Sequence, residues 1–234
     1  MEVFSNHKLQ YLVLVCISLL VLGCVGILYF SDDQPFQRFL GSYNPLLVFL
    51  FVVILGFVLM TFFLSQQWFV IYEKENLKAA LPLAGLAGLL GIIMILADTK
   101  IIFPADTNIL FPDSLLFYPA IGFLVEIIFH LLPLAVLLFV LNSFLKNVTF
   151  EHLVWVCIVI ISIVEPIYQA AHMASTNRHP PWAIIFVGVH IFIINFAQLS
   201  IFRKYDFTSM YFFRLIYYLF WHIGWGYLRL RLLF

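Results

Sequence analysis

The fold is decided by residues 115–145, LLFYPAIGFLVEIIFHLLPLAVLLFVLNSFL. The stretch is apolar almost throughout and exceeds the roughly 20 residues that a helix needs to cross a bilayer. Glu126 and His130 nevertheless lie near its middle. A charged side chain at the bilayer centre costs about 2.5–3.5 kcal/mol on insertion scales, so such residues face the protein interior. We therefore predict a transmembrane helix with a polar inner face.

The composition extends this prediction to the whole chain. Hydrophobic residues make up 64% of it and charged residues 10%, whereas about a quarter of a soluble domain is charged. One water-soluble core could not bury that much apolar surface, and a disordered chain would need low hydrophobicity and high net charge. The formal net charge is zero, so no basic surface for nucleic acid is expected.

Further apolar runs predict an all-α, polytopic transmembrane helix bundle of about seven spans, or eight. The short apolar piece at 101–111 makes the count uncertain, because two prolines interrupt it and it could be interfacial or re-entrant. The predicted spans are 9–30, 45–72, 77–97, 115–145, 152–172, 181–202 and 209–233.

The polar breaks between these spans are short, so residues 1–234 form a single integral membrane domain. We divide it into N-terminal scaffold helices, 1–113, and core helices, 114–234. Lysine and arginine are almost evenly divided between the two sides, which leaves the orientation open. The expected location is the cell (plasma) membrane, as a multi-pass protein, with the lipid bilayer as its first partner.

Most ionisable residues fall in the breaks or at span ends, and the aspartates, Asp98 included, all do. Glu126, Glu165 and Arg214 do not. Their burial suggests an ion pair between one of the two glutamates and Arg214. Four histidines also lie within or at the edges of apolar runs: His130, His172, His190 and His222.

Helical spacing places the buried polar residues in stripes on three spans. Convergence of the stripes in one cavity is the economical way to satisfy them, and this cavity is the predicted functional site. The stripes are Glu126 with His130, then Glu165 with Gln169 and His172, then Arg214 with Tyr218, His222 and Gly226.

Other polar and small residues predict packing contacts. His190 stands alone on its span, which favours a hydrogen bond to a neighbouring helix over catalysis. Asn195 lies on another face and suggests an interhelical contact. In the third span, Gly88 and Gly91 belong to two small-residue pairs with i, i+4 spacing, which permits close helix contact.

The stripes allow three kinds of chemistry. A carboxylate and a histidine around one water make a general base, and a further histidine or arginine could hold an oxyanion. The same side chains could bind a divalent metal or relay protons or ions. There is no HExxH, GxSxG or glycine-rich phosphate motif. The missing GxSxG motif disfavours serine proteolysis. No aspartate pair lies within a span, which disfavours aspartyl proteolysis.

Three short motifs on the polar spans resemble those of a known protein family. Glu126-x-x-x-His130, Tyr168-x-x-x-His172 and His222-x-x-x-Gly226 resemble, in a divergent form, three motifs of the CPBP family of intramembrane glutamic endopeptidases. That family contains CAAX proteases and bacteriocin-processing enzymes, and its motifs run EExxxR, F/YxxxH and HxxxN/D on separate helices. The resemblance covers 115–234, and only the second motif is intact.

The resemblance implies hydrolysis of a peptide bond in a membrane-associated peptide or protein by water that glutamate and histidine activate, without a metal or other cofactor. Carried over, His172 activates the water and His222 stabilises the oxyanion. Val125 stands at the first glutamate of the family motif, so Glu126 becomes the supporting one. His130 replaces the arginine of the first motif.

The third motif also departs from the family pattern, because Gly226 replaces the asparagine and removes one oxyanion donor. Glu165 could supply the missing carboxylate.

Three hypotheses stay open: a CPBP-like peptidase, with full or impaired activity; a non-enzymatic pseudoprotease or membrane adaptor; and a small transporter or ion relay. The predicted site comprises Glu126, His172, His222, Glu165, His130 and Arg214.

Overall fold

A computed structural model of the chain describes residues 7–31, 34–175 and 179–234. All regular structure within these ranges is helical, which confirms the predicted all-α fold. The eight helices are α1, Lys8–Ser31; α2, Gln34–Leu40; α3, Pro45–Ser65; α4, Lys74–Ile101; α5, Ser114–Phe144; α6, Phe150–Ser175; α7, Pro181–Lys204; and α8, 207–232.

Six of these helices, α1 and α3 to α7, are long and apolar enough to cross a membrane. The chain is thus a multi-pass membrane protein. Helix α8 corresponds to the seventh predicted span but is less apolar, because tyrosine, tryptophan, histidine and arginine side chains fill much of it. Its passage through the membrane remains a prediction.

The second predicted span, 45–72, is too long at its C-terminal end. Helix α3 ends at Ser65, after which Gln67 adopts a positive φ of 55°. The irregular segment that follows binds the start of α8, since the amide of Phe207 donates to the carbonyl of Val70 at 3.1 Å. A residue in the left-handed region is a common way for a helix to end.

Three helices lose α-helical regularity where the polar residues lie. Helix α5 is π-helical at Glu126–Leu131, and α8 is π-helical at Leu219–Trp225. Helix α6 is interrupted at Ile163, because Pro166 has no N–H to donate to the carbonyl four residues earlier. π-Helical turns are rare and occur frequently at functional sites.

Helices α4 and α8 are in close contact through the predicted small residues. A Cβ atom placed on Gly91 would lie 2.7 Å from Cβ of Phe220, and one on Gly88 would lie 3.2 Å from Cζ of the same ring. Phe220 can therefore pack against α4 only because both positions are glycine, and the predicted packing role is confirmed.

The C-terminal ends of α4 and α8 are joined by a buried ion pair. Nε of Arg229 lies 2.7 Å from Oδ2 of Asp98, and both side chains are fully buried. The prediction that Asp98 lies in a polar break is wrong, because α4 continues to Ile101 and turns this carboxylate inward. Arg229 also donates to the carbonyls of Phe103 and Pro104, at 2.6 and 2.8 Å. This anchors the following loop, 102–113, over α8.

Candidate functional site

The carboxylate of Glu126, in the π-helical turn of α5, is the centre of a buried polar cluster. Its Oε1 accepts hydrogen bonds from Nε of Arg214, at 2.5 Å, and from the side-chain amide of Gln198. Its Oε2 lies 2.6 Å from Nδ1 of His130. All four side chains are buried, so the cluster joins α5, α7 and α8 inside the bundle.

Arg214 uses its whole guanidinium group in this cluster. Besides the bond to Glu126, Nη2 donates to Oε1 of Gln198 at 2.7 Å, and Nη1 donates to the hydroxyl of Tyr218 at 3.0 Å. The predicted ion pair thus forms with Glu126 and not with Glu165. Gln198 is absent from the predicted site, although a glutamine inside an apolar span is a usable signal.

His130 has one nitrogen bound and one free. A carboxylate oxygen can only accept, so Nδ1 carries a proton and donates to Glu126. In a neutral imidazole the other nitrogen, Nε2, then has a lone pair. This Nε2 is buried and has no hydrogen-bond partner in the described part of the chain. An imidazole oriented by a carboxylate, with its second nitrogen free, is a general-base arrangement.

His222, in the π-helical turn of α8, lies beside the cluster. Its Nδ1 is 2.8 Å from Oδ1 of Asn108. Its ring stacks on Tyr118 at 4.5 Å between centroids and meets the edge of Tyr218 at 4.9 Å. Tyr218 also accepts from Arg214 and so connects the two groups. Asn108 belongs to the predicted scaffold region and is absent from the predicted site.

Glu165 lies near the cluster but is not bonded into it. Its Oε1 accepts from the side-chain amide of Gln169 at 3.0 Å, while Oε2 is buried without a partner among residues 7–31, 34–175 and 179–234. It lies close to Arg214. Glu165 is therefore at the edge of the cluster with one oxygen unsatisfied by the described residues.

The predicted water-activating histidine, His172, lies outside the cluster. Its side chain is exposed near the C-terminal end of α6, and in the described ranges no hydrogen bond involves its ring. Tyr168 of the same motif is 64% exposed. The structure thus brings together the stripes of α5 and α8, adds Glu165 at their edge, and leaves His172 on the surface.

The two polar residues predicted as packing groups on α7 differ. Nε2 of His190 lies 3.3 Å from the hydroxyl of Tyr217 on α8, which confirms the expected interhelical hydrogen bond. Asn195 is buried, but neither polar atom of its amide has a partner in the part of the chain that the structure describes. The expected contact for Asn195 is not formed.

The cluster is enclosed by side chains. Two surface cavities, of about 550 and 280 Å³, lie at opposite ends of the bundle, and neither is lined by Glu126, His130 or Arg214. Among the described residues, no group of three histidine, cysteine, aspartate or glutamate side chains could hold a metal ion.

Comparisons with protein-family models, curated proteins and solved structures find no match to this chain. The resemblance to the CPBP family therefore rests on the three motifs and remains a prediction.

Proposed function

We propose that this chain is a CPBP-like intramembrane peptidase of the cell membrane, and that His130 is its general base. The observation that supports the proposal is the pairing of His130 with Glu126, which leaves Nε2 of the imidazole free. A base held by a carboxylate keeps its tautomer and orientation through the reaction. The substrate class is a membrane-associated peptide or protein, as the resemblance implies.

The proposed reaction needs one water molecule and no other reactant. Nε2 of His130 takes a proton from the water while the water oxygen bonds to the carbonyl carbon of the scissile peptide. The carbon–nitrogen bond then breaks, and the leaving nitrogen keeps the electron pair and takes the proton from His130. The products are a carboxyl end and an amine end, and the imidazole is regenerated.

In this proposal Glu126 is a positioning residue. Its oxygens already accept hydrogen bonds from His130, Gln198 and Arg214, so in this proposal it acts on the water through His130. Arg214 and Gln198 hold the carboxylate, and the carboxylate holds His130. His172 has no role here, because it is exposed on the surface of α6.

The proposal includes an opening movement. Side chains enclose His130 in the conformation described here, so water and substrate reach it only when α5 moves relative to its neighbours. The irregular backbone at Glu126–Leu131 and at Ile163 lies where α5 packs against α6. Irregular backbone within a helix often marks a hinge or a functional site.

The test uses the full chain reconstituted in liposomes with internally quenched fluorescent peptides, one with a transmembrane segment and one with a prenyl group. We expect cleavage by the wild type and a loss of at least 100-fold in His130→Gln, in the range that general-base catalysis contributes. His190→Gln is the matched control, since it replaces another buried histidine that is bonded across helices. Wild-type rates in His130→Gln would exclude His130 as the base.

A second candidate is a non-enzymatic membrane adaptor. It is favoured by one observation: each oxygen of Glu126 already has a donor, as in an interhelical clamp that only fixes packing. In that case neither peptide is cleaved by the wild type, and His130→Gln changes only stability. Cleavage that depends on His130 would exclude the adaptor as the whole function.

A further inference from the structure

Asn108 reaches into the bundle from the loop between α4 and α5. Its side chain is 4% exposed, and its Oδ1 lies 2.8 Å from Nδ1 of His222. It also packs against Gly226, where an added Cβ would lie 3.0 Å from Cβ and 3.2 Å from Nδ2 of Asn108. The amide therefore occupies space that any side chain at position 226 would need.

This contact determines where the proton of His222 lies. An amide oxygen only accepts hydrogen bonds, so Nδ1 of His222 must be the donor. A neutral imidazole has one N–H, which leaves Nε2 with a lone pair. Tyr118 and Tyr218 contact the ring on two sides and hinder its rotation. We propose that Asn108 is a positioning residue that keeps the proton of His222 on Nδ1 and presents Nε2 as a hydrogen-bond acceptor.

The loop that carries Asn108 is fixed on both sides of it. Before it, Arg229 binds Asp98 and the carbonyls of Phe103 and Pro104. After it, the amide of Ile109 donates to the hydroxyl of Tyr118 at 3.0 Å, the same tyrosine that stacks on His222. The loop is thus held so that the amide of Asn108 stays on the imidazole.

The position of this proton changes the role expected for His222, and this step rests on the proposed peptidase. The resemblance assigns His222 to oxyanion stabilisation, which requires a donated hydrogen. A neutral His222 with its proton on Nδ1 can offer only a lone pair from Nε2, to a water or to an N–H of the substrate. The free donor of the pair is Nδ2 of Asn108, which is buried and has no partner among the described residues.

The test is nitrogen NMR of the full chain in lipid bilayers with ¹⁵N-labelled histidine. The chain has seven histidines, and His222→Gln identifies the signals of this one. We expect a protonated Nδ1 and an unprotonated Nε2 in the wild type, and a protonated Nδ1 also in Asn108→Asp, which keeps the acceptor oxygen. Asn108→Leu removes the acceptor and should shift the proton toward Nε2. A wild-type spectrum with the proton on Nε2, or no change in Asn108→Leu, overturns the proposal.

A second variant covers the case in which Asn108→Leu does not fold. Gly226→Ala pushes the amide of Asn108 aside and should also shift the proton, whereas Gly23→Ala, with open space at its Cβ, should not. The spectra do not depend on cleavage. If the spectra are as expected but neither peptide is cleaved, the peptidase is refuted and the role of Asn108 stands. If a peptide is cleaved but the proton of His222 lies on Nε2, the role of Asn108 is refuted and the peptidase stands.

Discussion

Oε2 of Glu126 lies 2.6 Å from Nδ1 of His130, one helical turn further along α5, and both side chains are completely buried. The pair would be costly in a membrane without further partners. Arg214 and Gln198 supply them from two other helices. The resulting cluster has one buried carboxylate and one buried guanidinium, each hydrogen-bonded, so its members should depend strongly on each other.

Removing one charge of the Glu126–Arg214 pair should be strongly destabilising. Glu126→Gln or Arg214→Met leaves the other charge buried and unpaired, which typically costs about 3–5 kcal/mol. The double variant should cost less than the sum of the single ones, with a coupling of about 0.5–3 kcal/mol. The cost of each single variant and the coupling are both obtained from free energies of unfolding measured in mixed micelles.

The control for this prediction is the ion pair between Glu151 and Arg203. Their 2.6 Å contact is as short, but Glu151 is 68% exposed. Glu151→Gln should therefore change stability by about 1 kcal/mol or less. Equal losses of stability in Glu126→Gln and Glu151→Gln would mean that burial does not determine how much the Glu126 pair contributes to stability.

The sequence predicts the helical class and most spans because lipid requires long apolar helices. It also predicts an ion pair of Arg214 with one of the two buried glutamates, Glu126 or Glu165, but it cannot say which of the two. It cannot locate the π-helical turns at Glu126 and at His222, because apolar periodicity does not distinguish one extra residue in a turn from regular helix.

Loop contacts are the other part that the sequence does not predict. Asn108 and Asp98 are polar residues near span ends, where side chains commonly face water. Their inward orientation depends on Arg229, whose donors bind the loop carbonyls and the Asp98 carboxylate. His172 shows the converse, because a matching motif and helical spacing did not bring its ring into the bundle. Helix rotation is set by tertiary packing, which spacing alone does not give.

Gly91→Ala should destabilise the contact between α4 and α8. The new methyl group would lie 2.7 Å from Cβ of Phe220, so one of the two helices must shift, at a cost of about 1–3 kcal/mol. Gly85→Ala on the same helix meets nothing within 4 Å and should be neutral or slightly stabilising, since alanine favours helix. Thermal unfolding in micelles should give a lower midpoint for Gly91→Ala than for Gly85→Ala. Equal midpoints in the two variants would contradict the close packing of Phe220 on Gly91.

His172→Gln should leave both stability and any peptide cleavage unchanged. The ring is exposed on α6, and surface substitutions of this kind usually change stability by less than about 0.5 kcal/mol. Cleavage rates of the fluorescent peptides, measured beside His130→Gln, check this directly. Loss of cleavage in His172→Gln with normal stability would instead support the family assignment of the water-activating histidine.

Arg229→Lys should release the loop 102–113 although it preserves the charge. The guanidinium contacts both oxygens of Asp98, at 2.7 and 3.0 Å, and donates to the carbonyls of Phe103 and Pro104. An ammonium group cannot reproduce this planar set of donors. We expect faster hydrogen exchange at the amide of Phe103, which donates to Oδ1 of Asp98 at 2.9 Å, and faster proteolysis within the loop. Arg203→Lys, at an exposed pair, is the control and should change neither.

The same loop carries Asn108, so its release in Arg229→Lys should also shift the proton of His222 toward Nε2. A loosened loop with an unchanged His222 spectrum would mean that Arg229 does not hold Asn108 against His222.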